Sequence, residues 1–527
     1  MKRHVSILLE VAECIYQDAT AKCSAQVFQK RDLETLRSRV KHEGLSFLTI
    51  TLPDFARDFE RCLELGQIDS TLFRSFKKRK AIPAFLQGML SHVFDVETGR
   101  MYDNVETENA FQGTEDSTRS CCCPGGWGCR CGKTASHLQR PGTLGEANPQ
   151  CDYDGSIIES VRSFCRAFAK LELDCTPQRV AAEIEAFKET EQELLEAAPR
   201  EVEYLASQEI ANTSFYLWAP VLSSISLDRI RCTHGPGATV EGVSPNGKYA
   251  WTDWPARLEP YFPMLDNCFV VDAWDSEEFG KVTSREIGNE VPVKVTPVPK
   301  TLRAPRIIAI EPVAMQYTQQ GIRRELYKLL EERGIAKGQL NFTDQSINRR
   351  MALLSSIDRS YVTLDLSSAS DRVPRSLALS MFSFHPELRD AIEACTSKMA
   401  RLPNGEVIPL RKFASMGNAL CFPIEAMYFY TICVMALLKK RNLPTSYRNL
   451  KLVAKDVFVY GDDIIVPRDS ADAVLEYLQK YFCKVNSRKS FIHGYFRESC
   501  GTDAYRGYEV TPTYIRKLHP EGRHQAD

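Results

Sequence analysis

Tyr460-Gly461-Asp462-Asp463 stands between two apolar runs, Val457-Phe458-Val459 and Ile464-Ile465-Val466. Two β-prone runs split by a glycine-containing turn predict an antiparallel hairpin with both aspartates at its tip. Adjacent carboxylates repel one another unless a cation or solvent offsets the charge, so a rigidly anchored pair suits a divalent metal. Taken alone, the pair also fits a solvated acidic turn.

A third carboxylate lies upstream. Tyr361-Val362-Thr363-Leu364-Asp365-Leu366 reads as a β-branched and aromatic strand with Asp365 near its end, ahead of Ser367-Ser368-Ala369-Ser370-Asp371. The chain between Asp365 and Asp462 is long enough for helices that bring the two strands side by side. Three carboxylates on neighbouring strands form the ligand set of a two-metal phosphoryl-transfer site. Magnesium suits such oxygen ligands, with manganese as the alternative, and needs no histidine or cysteine.

Between these segments, Ala414-Ser415-Met416-Gly417-Asn418 reads as a loop ahead of a long apolar run from Ala419 to Leu438. The Asn418 amide can both donate to and accept from a sugar hydroxyl, or the loop is an ordinary helix start. The apolar run approaches the ~20 residues of a membrane span and is followed by Lys439, Lys440 and Arg441. Glu425 and Pro423 argue against a span, and a helix buried on all sides of a large domain explains the same residues. No membrane association is expected.

In this order, the stretches Asp365 to Asp371, Ser415 to Asn418 and Tyr460 to Asp463 resemble three palm motifs of viral RNA-dependent RNA polymerases. The nearest likeness is to the replicase catalytic subunit of levivirus-type RNA bacteriophages. Supporting stretches are Glu43 to Pro53, Gly235 to Thr239, Val298 to Pro312 and Phe496 to Gly501. The likeness runs from about residue 40 to about residue 517.

That resemblance implies an α+β right-hand fold with fingers and palm, an antiparallel palm sheet backed by helices, and a shortened thumb. The expected divisions are a mostly helical region over 1–104, a Cys/Gly-rich insertion over 105–152, fingers over 153–355, palm over 356–490 and a truncated thumb from 491 to 527. Candidate helices lie around Arg31–His42 and Leu52–Leu65. The resemblance makes Asp365, Asp462 and Asp463 the ligands of two metal ions, and Asp371 and Asn418, with Ser415 and Gly417, the ribose-reading residues.

Lys300, Arg303 and Arg306 sit among prolines in a segment expected to be extended; the resemblance gives them the incoming triphosphate, while a solvated basic loop is the alternative. Lys489 takes the place of a lysine that protonates departing pyrophosphate, with Lys484 as its competitor. His234 and Gly235-Pro236-Gly237 are expected to form a structural turn without a catalytic role. Implied partners are an RNA template and product, ribonucleoside triphosphates, and host translation elongation factors with a ribosomal protein, in the cytoplasm of an infected bacterium. A reverse transcriptase is the enzymatic alternative, disfavoured by an acidic rather than bulky aromatic residue at Asp371, and a noncatalytic RNA-binding protein is the other.

The formal net charge of −1 means that any nucleic-acid path depends on local basic clusters rather than on the overall field. Most of the 18 cysteines lie in apolar contexts and read as buried thiols of a reducing compartment. Cys121-Cys122-Cys123 with Cys129 and Cys131 is the exception; a zinc site is conceivable, but the paired spacing of zinc ligands is lacking and a surface loop is the expectation. The N-terminal run is interrupted by Glu10 and Glu13, which favours an amphipathic helix over a signal sequence.

Overall fold

The computed structural model describes residues 2–23, 27–102, 149–197, 200–269 and 280–518. The 121–131 cysteine cluster and the residues after 518 lie outside them. Helices and short, mostly antiparallel strands give the α+β class expected from the sequence.

The sheet that positions the acidic residues has three strands in the order Phe458–Tyr460, Asp463–Pro467, Tyr361–Leu364. Both pairings are antiparallel, with Tyr460 opposite Asp463 and Leu364 opposite Ile464. Val362, Thr363 and Leu364 are buried in succession, as are Ile464, Ile465 and Val466, because helices cover both faces. Cys421–Lys440 packs on the Phe458–Tyr460 and Asp463–Pro467 strands, and Ser346–Asp358 on Tyr361–Leu364 and Asp463–Pro467. Coverage on both sides explains why these strands read as continuous apolar runs rather than as alternating ones.

Cys421–Lys440 is long and apolar enough to cross a membrane by length and composition. Its polar groups, however, find protein partners around its circumference. Tyr428 donates to the Tyr481 carbonyl at 2.8 Å, Tyr430 to the Ala454 carbonyl at 2.9 Å, and the Trp218 indole to Thr431 at 3.1 Å. These bonds fix it as a core helix.

A second core joins the two ends of the chain. Leu8 to Phe94 and Ile157 to Leu171 share one apolar cluster with Phe491, Phe496, Tyr505 and Val510. This core runs across two of the expected divisions. The Pro149–Arg166 helix packs on Lys2–Lys22 and Leu52–Leu65, so a boundary at 153 cuts through the N-terminal core. Residues 496–509, expected to open a thumb, form an antiparallel sheet of three short strands that closes the same core. Glu64 fastens the connection: its carboxylate accepts from the backbone N–H groups of Ile492, His493 and Gly494 at 2.7, 2.6 and 3.0 Å.

A third, smaller core lies under the sheet ordered Arg306–Ile310, Val293–Val298, Met399–Arg401, Val407–Pro409, where Phe187 from the Pro177–Ala197 helix packs on Val293, Val295 and Ala309. Cys62, Cys165, Cys395, Cys421 and Cys433 are buried free thiols, as their apolar contexts imply.

His234 is a packing residue, in line with the structural role expected of it. Its ring lies 4.6 Å from those of Tyr249 and Tyr317 and 5.4 Å from Trp251, and among the described residues neither ring nitrogen meets a well-aligned hydrogen-bond partner. Burial, with the Lys248 ammonium nearby, pulls its pKa from 6.5 down to about 4. A histidine depressed in the fold contributes stability above its unfolded pKa and loses it as pH falls toward the folded value. Melting curves of the chain and of His234→Phe are therefore expected to diverge between pH 7 and pH 4, with only the parent losing stability through this residue. Parallel curves would show that the ring is solvated.

Candidate active site

Gly461 allows the hairpin turn. Its φ is +60°, and a Cβ there would fall 2.3 Å from the Phe422 ring, so a side chain is excluded by backbone conformation and by the first turn of the covering helix. Asp462 and Asp463 follow at the end of the sheet. Asp365 leaves the same end, one residue beyond the Leu364–Ile464 pair.

Each carboxylate is held differently. Asp365 accepts from the Asn486 amide at 2.9 Å, and its other oxygen lies 3.3 Å from the Lys489 ammonium. Asp463 accepts from the Cys500 backbone N–H at 3.1 Å. Asp462 opens to solvent, yet the chain packed around the turn strips part of its hydration. That loss, then the Asp365 charge, raises its pKa, against the pull of Lys489 and Lys300. Burial and then the Asp462 charge push Asp463 up to about 6.

The three groups share a field without sharing a point. Among the described residues no three carboxylate, imidazole or thiolate side chains are gathered as a preformed ligand cage. Asp365 is turned toward Lys489 and Asn486, and Asp463 toward Cys500. The donor set still fits a hard divalent cation: all ligands are oxygens, and two of the three carboxylates are raised partly by like charge that such an ion would neutralise.

The basic residues divide. Lys300 lies within electrostatic reach of Arg306, Lys489, Asp462 and Asp365, and burial with the neighbouring cations lowers its pKa. Arg306 begins the strand paired to Val293–Val298, in the extended segment that the prolines imply. Arg303 is drawn away to an ion pair with Asp54 on the Leu52–Leu65 helix. Lys489 is separated from its competitor: it sits on Asp365, where Glu498 and Asp365 outweigh the desolvation that lowers its pKa and leave it raised, whereas Lys484 acts on Glu193.

The 415–418 loop is locked to the Arg306–Ile310 strand. Ala309 N–H donates to the Met416 carbonyl at 2.8 Å, and Gly417, at φ +121°, would place a Cβ 2.1 Å from the Ala309 carbonyl oxygen. Ser415 donates to Asp371 at 2.9 Å. Asn418 turns inward, its amide donating to buried Glu311 at 2.7 Å and its oxygen accepting from Leu420 N–H at 2.8 Å. Of the two expectations for that amide, a sugar contact or an ordinary helix start, the oxygen and one donor serve the second, committed inside the protein.

Glu311 and Lys412 were not foreseen, and Glu425 was foreseen only as a residue against a membrane span. Glu311 binds Ser397 and Asn418 and has its pKa raised by burial. Glu425 backs onto the acidic cluster; burial and then the charges of Asp462 and Asp371 hold its pKa well above the usual carboxylate range. Lys412 is fully buried against Asp371 and Glu191. A lone Glu in an apolar helix was a visible signal; Glu311 follows an apolar run and Lys412 follows Arg411, and neither position names a partner.

Comparison with known proteins adds a likeness over part of the chain. Residues 276–520 match the family model described as RNA replicase, beta-chain. That span contains every candidate residue named above for metal, nucleotide or proton transfer. The chain is 35% identical over 298 residues to the RNA-directed RNA polymerase beta chain of Escherichia phage MS2, covering 54% of this chain and 50% of that one. It is 34% identical over 307 residues to the corresponding chain of Enterobacteria phage fr, covering 56% and 52%. It is 36% identical over 223 residues to the RNA-directed RNA polymerase subunit beta of Escherichia virus Qbeta, covering 42% and 35%. The chain thus spans about half, or less, of the length of these replicase relatives. A solved insertion-loop deletion mutant of the RNA-dependent RNA polymerase of a human picorbirnavirus aligns at TM-score 0.31 and 13% identity over 42% of this chain and 47% of that one, too loosely to carry weight.

Proposed function

We propose that this chain is a template-directed RNA polymerase that extends RNA from ribonucleoside triphosphates and copies a phage genome in the cytoplasm of its bacterial host. The observation that carries the reading is the convergence of Asp365, Asp462 and Asp463 at one end of a three-stranded antiparallel sheet, within the span that matches the replicase family. In this reading 356–490 is the palm and 153–355 the fingers.

Asp365, Asp462 and Asp463 would hold two magnesium ions, which when bound supply activation of the 3′-hydroxyl and neutralisation of the leaving oxygen. The chain's own residues do the rest. Lys300 and Arg306 bind phosphate oxygens of the incoming nucleotide beside the acidic cluster. Arg303 joins them only by giving up Asp54. Lys489, cationic next to Asp365, donates a proton to the departing pyrophosphate. Asp371 reads the ribose 2′-hydroxyl, and Ser415 and Gly417 shape the loop around it. Asn418 contributes through Glu311 and the loop. Host translation elongation factors and a ribosomal protein are proposed as partners by family resemblance alone.

The test is nucleotide incorporation by the full chain on a defined primed RNA, with ribo- or deoxyribonucleoside triphosphates, with and without bacterial extract. Magnesium-dependent extension with ribonucleotides is expected. Equal use of both nucleotide classes would overturn the role of Asp371, and no incorporation under any condition would favour a noncatalytic RNA-binding protein.

A further inference from the structure

Lys412 has 0% of its side chain exposed, and its ammonium lies 2.9 Å from Asp371 Oδ1 and 3.1 Å from Glu191 Oε1. It rests 3.3 Å above the centre of the Phe187 ring. Phe187 and Glu191 are one turn apart on the Pro177–Ala197 helix, so one face of that helix supplies both the ring and the counter-charge. Burying an ammonium is costly unless it is paired, and here one cation meets two carboxylates.

The pairing is asymmetric. Glu191 is anchored without the lysine, because its Oε2 accepts from Arg411 N–H at 2.6 Å. Asp371 is held at Oδ1 by both Lys412 and the Ser415 hydroxyl, and among the described residues Oδ2 has no partner within the chain. The Lys412 contacts lack hydrogen-bond alignment. The lysine therefore acts by charge, pulling one oxygen inward, while Ser415 sets direction. This leaves Oδ2 as the oxygen without a partner among the described residues.

We propose that Lys412 is a positioning residue for ribose selection, fixing Asp371 so that its free oxygen faces the nucleotide sugar. The proposal rests on the reading of Asp371 as the 2′-hydroxyl acceptor. A purely structural lysine would neutralise Glu191 and leave Asp371 free to turn; here the restraint falls on Asp371.

The experiment compares binding and KM for ATP and dATP on a primed RNA with the full chain. Lys412→Met combined with Glu191→Gln removes the cation together with one buried carboxylate, so no uncompensated charge is left deep in the core. The ATP preference is expected to fall about tenfold, the scale of one misaligned hydrogen bond to a charged acceptor. Adding Asp371→Asn should lower it no further than Asp371→Asn alone. If the double variant does not fold, Phe187→Leu keeps every charge and is expected to lower the preference about threefold by removing the ring face beneath the ammonium.

An unchanged preference in the folded variant, alongside a loss in Asp371→Asn, would overturn the proposal and leave the ribose reading intact. Additive losses would also overturn it, since Lys412 would then act elsewhere. No effect of Asp371→Asn would defeat the ribose reading and this proposal with it.

Discussion

Replacing Asp462 with Asn is expected to lower RNA-templated incorporation by roughly 10²–10³-fold or more, the range seen when one group that stabilises developing charge is removed. The melting temperature should not fall. Asp462 carries no structural partner comparable to the Cys500 N–H on Asp463, and desolvation and the Asp365 charge raise its pKa. A carboxylate raised in the fold favours its neutral form there, so its contribution to stability is full below the unfolded pKa and is lost as pH rises through the folded one. A neutral amide removes that loss. Because solvent reaches the side chain, the stability change should stay within about 0.5 kcal/mol. Single-nucleotide extension and thermal melts on the same preparation separate the two quantities. Extension within a few fold of the parent would remove Asp462 from the chemistry.

This split between activity and stability marks the part of the site that was legible in the sequence. The hairpin, the strand before Asp365 and the core helix at 421–440 are set by local pattern: apolar runs, one glycine in a turn, and a long apolar stretch interrupted only by Glu425 before its basic end. Each needs only neighbouring residues to be read. The groups that orient the site come from far along the chain. Asn486 and Lys489 reach Asp365 across more than a hundred residues, Glu311 meets Asn418, and Lys412 meets Glu191. A buried Lys or Glu has the same local signature as an exposed one until its partner is known. The inward turn of Asn418 was illegible for that reason, and so was the capture of Arg303 by Asp54. The packing of residues 496–509 was illegible likewise, because their partners are the N-terminal helices, at the opposite end of the chain.

Arg162→Met tests that second core, and the expected loss is about 3–5 kcal/mol, the usual consequence of breaking a buried ion pair. Only 1% of the Arg162 side chain is exposed, and it binds Glu60 at 2.7 Å, Asp503 at 2.8 Å and the Val510 carbonyl, with the Phe496 ring 5.0 Å away. Glu60 keeps a second partner in Arg166, so the charge left stranded is that of Asp503. Adding Asp503→Asn should therefore recover half or more of the loss, whereas adding Glu60→Gln should recover less. Asp503 lies on the strand that follows the Cys500 turn, and the Cys500 N–H orients Asp463. Loosening this sheet is expected to lower extension as well, but by less than Asp462→Asn, since none of the carboxylates proposed to hold metal is removed. Denaturant unfolding of the four proteins gives the comparison. A loss under about 1 kcal/mol for Arg162→Met, or equal recovery by both second substitutions, would mean that the N-terminal helices do not hold the Asp463 turn through this pair.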